Sequence, residues 1–190
     1  MRSTRFGVIT ESARPGSSGY AASVGSCTIV CPPASWIARR PATPSCIIPV
    51  SSSGKSTTLA ALIGLLDQRR AAHVITLEDP IEYRFAPQRC LIHQRELGIH
   101  VPTFAAGLKA ALREAPDVIL LGELRDKDTI AAALTAAETG HLVLATLHAP
   151  NAAGAIDRMI DAFADTQQRQ VRWQLAGVLR TVITQYLLPR

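Results

Sequence analysis

"DVILLGELRDKDTIAAALTAAETGHLVLATLHA", residues 117–149, is the stretch from which the fold is read. Two apolar runs, 117–123 and 141–146, flank a segment at 126–139 rich in the helix formers Ala and Leu. Val/Ile/Leu runs with little polar alternation belong to strands buried on both faces. A helix between two such strands is the crossover of a parallel pair.

The same alternation extends outward on both sides. A helix is expected at 103–114. Before it come a strand at 73–78 ("HVITLE"), a turn at Pro80, and a segment at 89–94 ("RCLIHQ") expected to pair locally. Leu59, Leu62, Ile63 and Leu66 share one face of a helix predicted over 55–68, which follows a short apolar strand, "CIIPV", at 46–50. Two further helices are predicted at 151–163 and 166–187. The fold class is therefore α/β, a mainly parallel sheet flanked by helices. Such sheets place ligands at the carboxyl ends of their strands, where Glu78, Asp79, Glu82, Glu123, Arg125, Thr146 and His148 gather.

Composition narrows the function. The 190 residues leave room for one domain, and no run of about 18 apolar residues offers a membrane span. Arg2, Arg5 and Arg14 precede no apolar block, which argues against a secretory signal and makes the cytosol the expected compartment. Residues 1–50 hold five arginines against Glu11 alone, so +4 of the net +5 lies there and the remainder is nearly neutral. A nucleic-acid-binding face is not expected from that distribution. Cys27, Cys31, Cys46 and Cys90 form no paired C-x-x-C spacing, so reduced thiols and no zinc are expected of them.

The chemistry begins at "IIPVSSSGKSTTLAAL", residues 47–62. A strand entering a Ser-rich turn and then a helix aims backbone N–H groups, with the helix dipole, at one anion. Ser52, Ser53, Gly54 and Thr57 would line that phosphate site, Lys55 would reach the outer phosphates, and Ser56 would ligate Mg²⁺. In "DVILLGE" an apolar strand delivers Glu123 to the sheet edge beside the phosphates, where it can hold Mg²⁺ through water. "ITLEDPIEY", 75–83, crowds Glu78, Asp79 and Glu82 into five residues, a repulsive arrangement that suits a metal–polyphosphate site. His141 and His148 flank a strand. Either is scaffolding or, for His148, a γ-phosphate sensor, and about 20 Å of strand keeps the pair from ligating one metal.

"GKSTTLAALI", "ITLEDPIEY", "ALREAPDVILLGELRDKDTIAAALTAAETGHLVLATLHA" and "AIDRMIDAF" resemble the core of the secretion-superfamily ATPases, most closely the PilT-type pilus retraction (twitching motility) ATPases, from about residue 53 to 190. The resemblance implies a RecA-like P-loop core in a homo-hexameric motor, hydrolysing ATP with Mg²⁺ and docked on the cytoplasmic side of an inner-membrane pilus platform protein. By position it implies Walker A residues at Lys55 and Ser56 and an aspartate box over Glu78, Asp79 and Glu82, with Glu82 as general base. It also implies a Walker B glutamate at Glu123, a histidine box at His141 and His148, and subunit-boundary candidates at Arg95, Arg113 and Arg125.

The sequence departs from the family pattern in three places. Pro49 and Ser52 stand where the loop is expected to carry glycine. Proline removes an N–H, and a non-glycine residue forced left-handed costs about 1–2 kcal/mol. Residues 1–46, rich in Arg, Pro, Ser and Cys, resemble no family domain. A disordered head or an out-of-frame reading of a GC-rich gene is expected there, ahead of a core at 47–190 that stops short of the family's last helices. Impaired activity is the consequence. A pilus assembly or type II secretion ATPase is the alternative within the superfamily, disfavoured by the missing tetracysteine insert. A non-catalytic subunit that only binds partners, and a DNA motor, are alternatives of other classes.

Overall fold

The computed structural model describes the backbone of Gly7–Glu11, Ser26–Thr28, Ser45–Pro49 and residues 55–186, and the side chains of residues 56–183. In chain order the elements are β1 (Gly7–Glu11), β2 (Ser26–Thr28), β3 (Ser45–Pro49), α1 (Lys55–Arg69), β4 (His73–Glu78), β5 (Leu91–Glu96) and α2 (Phe104–Ala111). There follow β6 (Val118–Leu121), α3 (Lys127–Glu138), β7 (Leu142–Leu147), α4 (Ala152–Asp161), α5 (Asp165–Val178) and β8 (Leu179–Tyr186). They form one sheet in the order β1-β8-β3-β7-β6-β4-β5, with β2 also on β8. From β8 to β5 every neighbouring pair is parallel, and only β1 and β2 run antiparallel. The mainly parallel α/β sheet expected from the sequence is present. β1 and β2 fall within residues 1–46, expected to lack regular structure.

Burial explains why these strands read as unbroken apolar runs. Val118–Leu121 is buried throughout, and so are Val74–Leu77 and Val143–Leu147. On one face Leu59 and Ala60 of α1 meet Leu120 and Thr146 around a cavity. On the other, α3, α4 and α5 close over Val143 and Ala145 with Ile130, Leu134, Met159 and Leu175. The starts of α2, α3 and α4 are capped by side chains. Thr103 Oγ1 accepts from Ala106 N–H, Asp126 Oδ1 from Thr129 N–H and Asn151 Oδ1 from Gly154 N–H, at 3.1, 2.8 and 2.7 Å.

Two elements differ from the sequence reading. The segment around 89–94 is not a local pairing but the parallel edge strand β5, in register with β4 from His73↔Leu91 to Glu78↔Glu96. Its connection is tied back by side chains, Ile81 N–H donating to Glu96 Oε2 at 3.0 Å and Phe85 N–H to Gln94 Oε1 at 3.1 Å. The helix predicted over 166–187 ends at Val178, and the chain continues as β8. The β-branched run Thr181–Thr184 favours strand, and the open edge of β3 supplies its parallel partner.

A buried carboxylate fastens the lead-in to β5. Asp67, on α1 and 6% exposed, accepts N–H bonds from Gln88, Arg89 and Cys90 at 2.8, 2.8 and 2.6 Å. These bonds, Cys90's foremost, hold its pKa below the usual carboxylate value against the opposing effect of burial. The folded pKa is depressed, so the stabilisation is present above the unfolded value near ~4 and is lost as pH falls through the folded pKa. Urea denaturation of Asp67→Asn beside the parent chain is expected to show a clear deficit at pH 7 that narrows towards pH 3. A deficit constant with pH would contradict the ionised clamp.

Gly122 is required by close approach. Its N–H donates to Leu77 O at 2.7 Å, and a Cβ there would lie 3.2 Å from both Glu78 Cα and Leu77 O. Those are backbone atoms of β4 and cannot swing aside. Gly122→Ala is expected to cost about 1–3 kcal/mol, read as a lower denaturation midpoint with an unchanged m-value.

Candidate active site

The carboxyl ends of β4, β6 and β7 and the start of α1 enclose a cavity of about 240 Å³. Each strand delivers its polar residue where its apolar run stops. Glu78 ends β4, Gly122 and Glu123 follow β6, and Thr146 and His148 lie at the end of β7. Ser56, Asp79, Glu82, Tyr83 and Arg125 complete the polar part of the wall, with Leu59, Phe85 and Phe104 supplying apolar surface.

Glu123 is held from two sides. Its Oε2 lies 2.7 Å from Arg125 Nε and its Oε1 3.5 Å from His148 Nε2. The Glu123 side chain is 16% exposed and that of Arg125 66%, so the pair orients the carboxylate more than it stabilises the fold. Hydrogen bonding to Glu123, and then its charge, push the Arg125 guanidinium's pKa upward. Behind them, Thr146 Oγ–H donates to Gly122 O, joining β7 to the end of β6. Arg158 Nη1 donates to His148 O at 2.7 Å and fixes that loop to α4.

Glu78 is the half-buried member of the Glu78–Asp79–Glu82 group, the other two being exposed. Burial pushes its carboxyl pKa up, opposed by hydrogen bonds from Thr76 and Gln94 and reinforced by the charges of Glu82 and Glu96. Thr76 Oγ–H donates to Glu78 Oε1 at 2.6 Å, and Gln94 Nε2 donates to the same oxygen at 3.2 Å and to Tyr83 O at 2.7 Å. Glu82 is exposed at the mouth.

Of the residues singled out in the sequence, Ser56, Glu78, Asp79, Glu82, Glu123, Arg125 and His148 line this one cavity. Ser52, Ser53 and Gly54 lie outside the described residues, as does the Lys55 side chain. Thr57 is exposed on the first turn of α1. His141 sits at the opposite end of β7, its Nδ1 3.0 Å from Ala136 O and 3.2 Å from Thr139 Oγ1. Arg95 is bound through Nη2 to both oxygens of Glu114, at 2.7 and 2.9 Å, and Arg113 is exposed beside that pair. Neither arginine reaches the cavity wall. Gln94 and Thr76 escaped sequence reasoning. Their role follows from the register Thr76↔Gln94 between β4 and β5, for which the sequence carries no local signal.

An oxygen-rich donor set of Ser56, Glu78, Asp79, Glu82 and Glu123 around one cavity fits a hard cation such as Mg²⁺. Burial is the main cause of the raised Glu78 pKa, and the charge of Glu82, which adds to it, is what such a cation would offset.

The profile of the family described as Type II/IV secretion system protein matches residues 37–190, and the chain belongs to that family. It is 64% identical over 137 residues to the uncharacterised protein YggR of Escherichia coli (strain K12), which covers 72% of this chain and 42% of YggR. It is 52% identical over 138 residues to a twitching motility protein of Neisseria gonorrhoeae, covering 73% of this chain and 37% of that protein. The chain thus spans about two fifths of the length of these relatives. Among solved structures it is similar to the pilus retraction motor PilT with bound ADP. The TM-score is 0.70 and the identity 40%, over 80% of this chain and 49% of that one.

Proposed function

We propose that the chain is the ATP-binding and ATP-hydrolysing core of a type IV pilus retraction motor. The observation that carries the reading is the convergence of Ser56, Glu78, Glu82, Glu123 and His148 on one cavity beside the start of α1. The likeness to PilT with bound ADP supports a nucleotide as its occupant.

In this reading Lys55 and the N–H groups of residues 52–57 grip the phosphates. Ser56 and Glu123 hold Mg²⁺, which when bound neutralises phosphate charge. Arg125 and His148 keep Glu123 oriented for that task. Glu82, at the mouth and outside the Glu123 cluster, takes the proton of the attacking water. Glu78 is held beside it by Thr76 and Gln94. His148 stands where a group sensing the terminal phosphate is needed, and His141 holds the other end of β7.

Pro49 and Ser52 replace the glycines expected of the loop, so turnover is expected to be slow. The motor core extends over 47–190 and assembles as a homo-hexamer, with Arg95, Arg113 and Arg125 as candidates for the subunit boundary. It docks on an inner-membrane pilus platform protein from the cytoplasmic side. Among the described residues no helix is long and apolar enough to cross a membrane. The test is Mg-ATP binding and turnover by the chain beside Lys55→Ala. Equal signals from both would remove the proposal.

A further inference from the structure

The face of the sheet edge opposite Glu78 and Gln94 carries a second group of ligating side chains. His73, the first residue of β4, and His93, in the middle of β5, lie diagonally across the parallel pair on one face, because His93 is in register with Ile75. His73 Nε2 is 3.2 Å from His93 Nδ1, with the rings edge to face at 87°. The 3₁₀ turn Leu112–Glu114 that ends α2 brings Glu114 to the same spot, and one ligand atom from each of the three residues lies within 4.8 Å of the others.

We propose that His73, His93 and Glu114 form a binding site for a zinc-class divalent cation, with a fourth position open to water. The nitrogen separation is the first argument. Two imidazole nitrogens about 2.0–2.1 Å from a tetrahedral zinc stand about 3.3 Å apart, so His73 and His93 are already spaced as one edge of such a site. The donor set is the second. Two imidazoles and one carboxylate are borderline ligands suited to zinc and its neighbours and poorly suited to Mg²⁺ or Ca²⁺. Support behind the ligands is the third. Arg95 donates to both Glu114 oxygens, leaving each a lone pair, as second-layer donors do for ligating carboxylates. His73 is fixed by a 2.9 Å bond from its N–H to Asp117 Oδ2 and a 2.8 Å bond from Asp117 N–H to its carbonyl.

The site lies at the amino end of β4, away from the cavity at its carboxyl end, and none of its residues lines that cavity. The cysteines, on which the expectation of no zinc rested, take no part in it. The competing account is a plain hydrogen bond between the two imidazole rings.

The test uses the full chain, stripped with chelator and titrated with Co²⁺ and then Zn²⁺. One ion per chain is expected, with visible Co²⁺ absorption that Zn²⁺ displaces and a thermal midpoint raised by Zn²⁺. His93→Ala and Glu114→Gln are each expected to weaken binding at least tenfold and to remove the thermal shift. Both side chains are exposed, and the two variants check one another. Absence of saturable binding, or binding that both variants leave within about twofold, would overturn the site.

Discussion

Glu82→Gln is expected to lower the turnover of Mg-ATP by about 10²- to 10⁴-fold, the range typical of losing a positioned general base, while leaving nucleotide affinity within a few-fold. The reasoning rests on how the carboxylates around the cavity are engaged. Glu123 is fastened by Arg125 at 2.7 Å and approached by His148 at 3.5 Å, an arrangement that fixes a charge in place. Glu78 is partly buried and receives two hydrogen bonds on one oxygen. Glu82 is exposed at the mouth, where a water can reach it. Single-turnover hydrolysis with radiolabelled ATP separates the chemical step from binding. If Glu82→Gln hydrolyses within about threefold of the parent, Glu82 is not the base.

Lys55→Ala should act on binding first. An ammonium that meets phosphate oxygens makes charge-assisted hydrogen bonds worth about 1.5–3 kcal/mol, so nucleotide affinity is expected to fall about 10- to 100-fold, with turnover falling further. Titration with a fluorescent ATP analogue in the presence of Mg²⁺ reads the affinity directly. Unchanged affinity in Lys55→Ala would mean that nucleotide binding, where present, does not use this loop.

Residues that end an apolar run could be placed from the chain alone. Glu78, Glu123, Thr146 and His148 each follow buried strand residues, and a parallel sheet puts all its strand ends on one edge. Their shared cavity therefore follows from strand direction. Gln94 and the His73–His93–Glu114 group could not be placed this way, because they meet through the pairing of β4 with β5 and the position of the turn after α2. That register is chosen by packing and by side-chain bonds such as Ile81 N–H to Glu96.

The end of the chain marks the same division. Leu179–Tyr186 carries a β-branched run that favours strand, yet the sequence reading extended the helix through it. In the structure the open edge of β3 takes it as β8. The sequence by itself determined the alternation of elements, the parallel sheet and the carboxylates at its edge, since these depend on local apolar runs and strand polarity. The tertiary structure alone decided which strands are neighbours, which residues face one another across them, and what each carboxylate is bound to. Those depend on hydrogen bonds and packing between segments far apart in the chain.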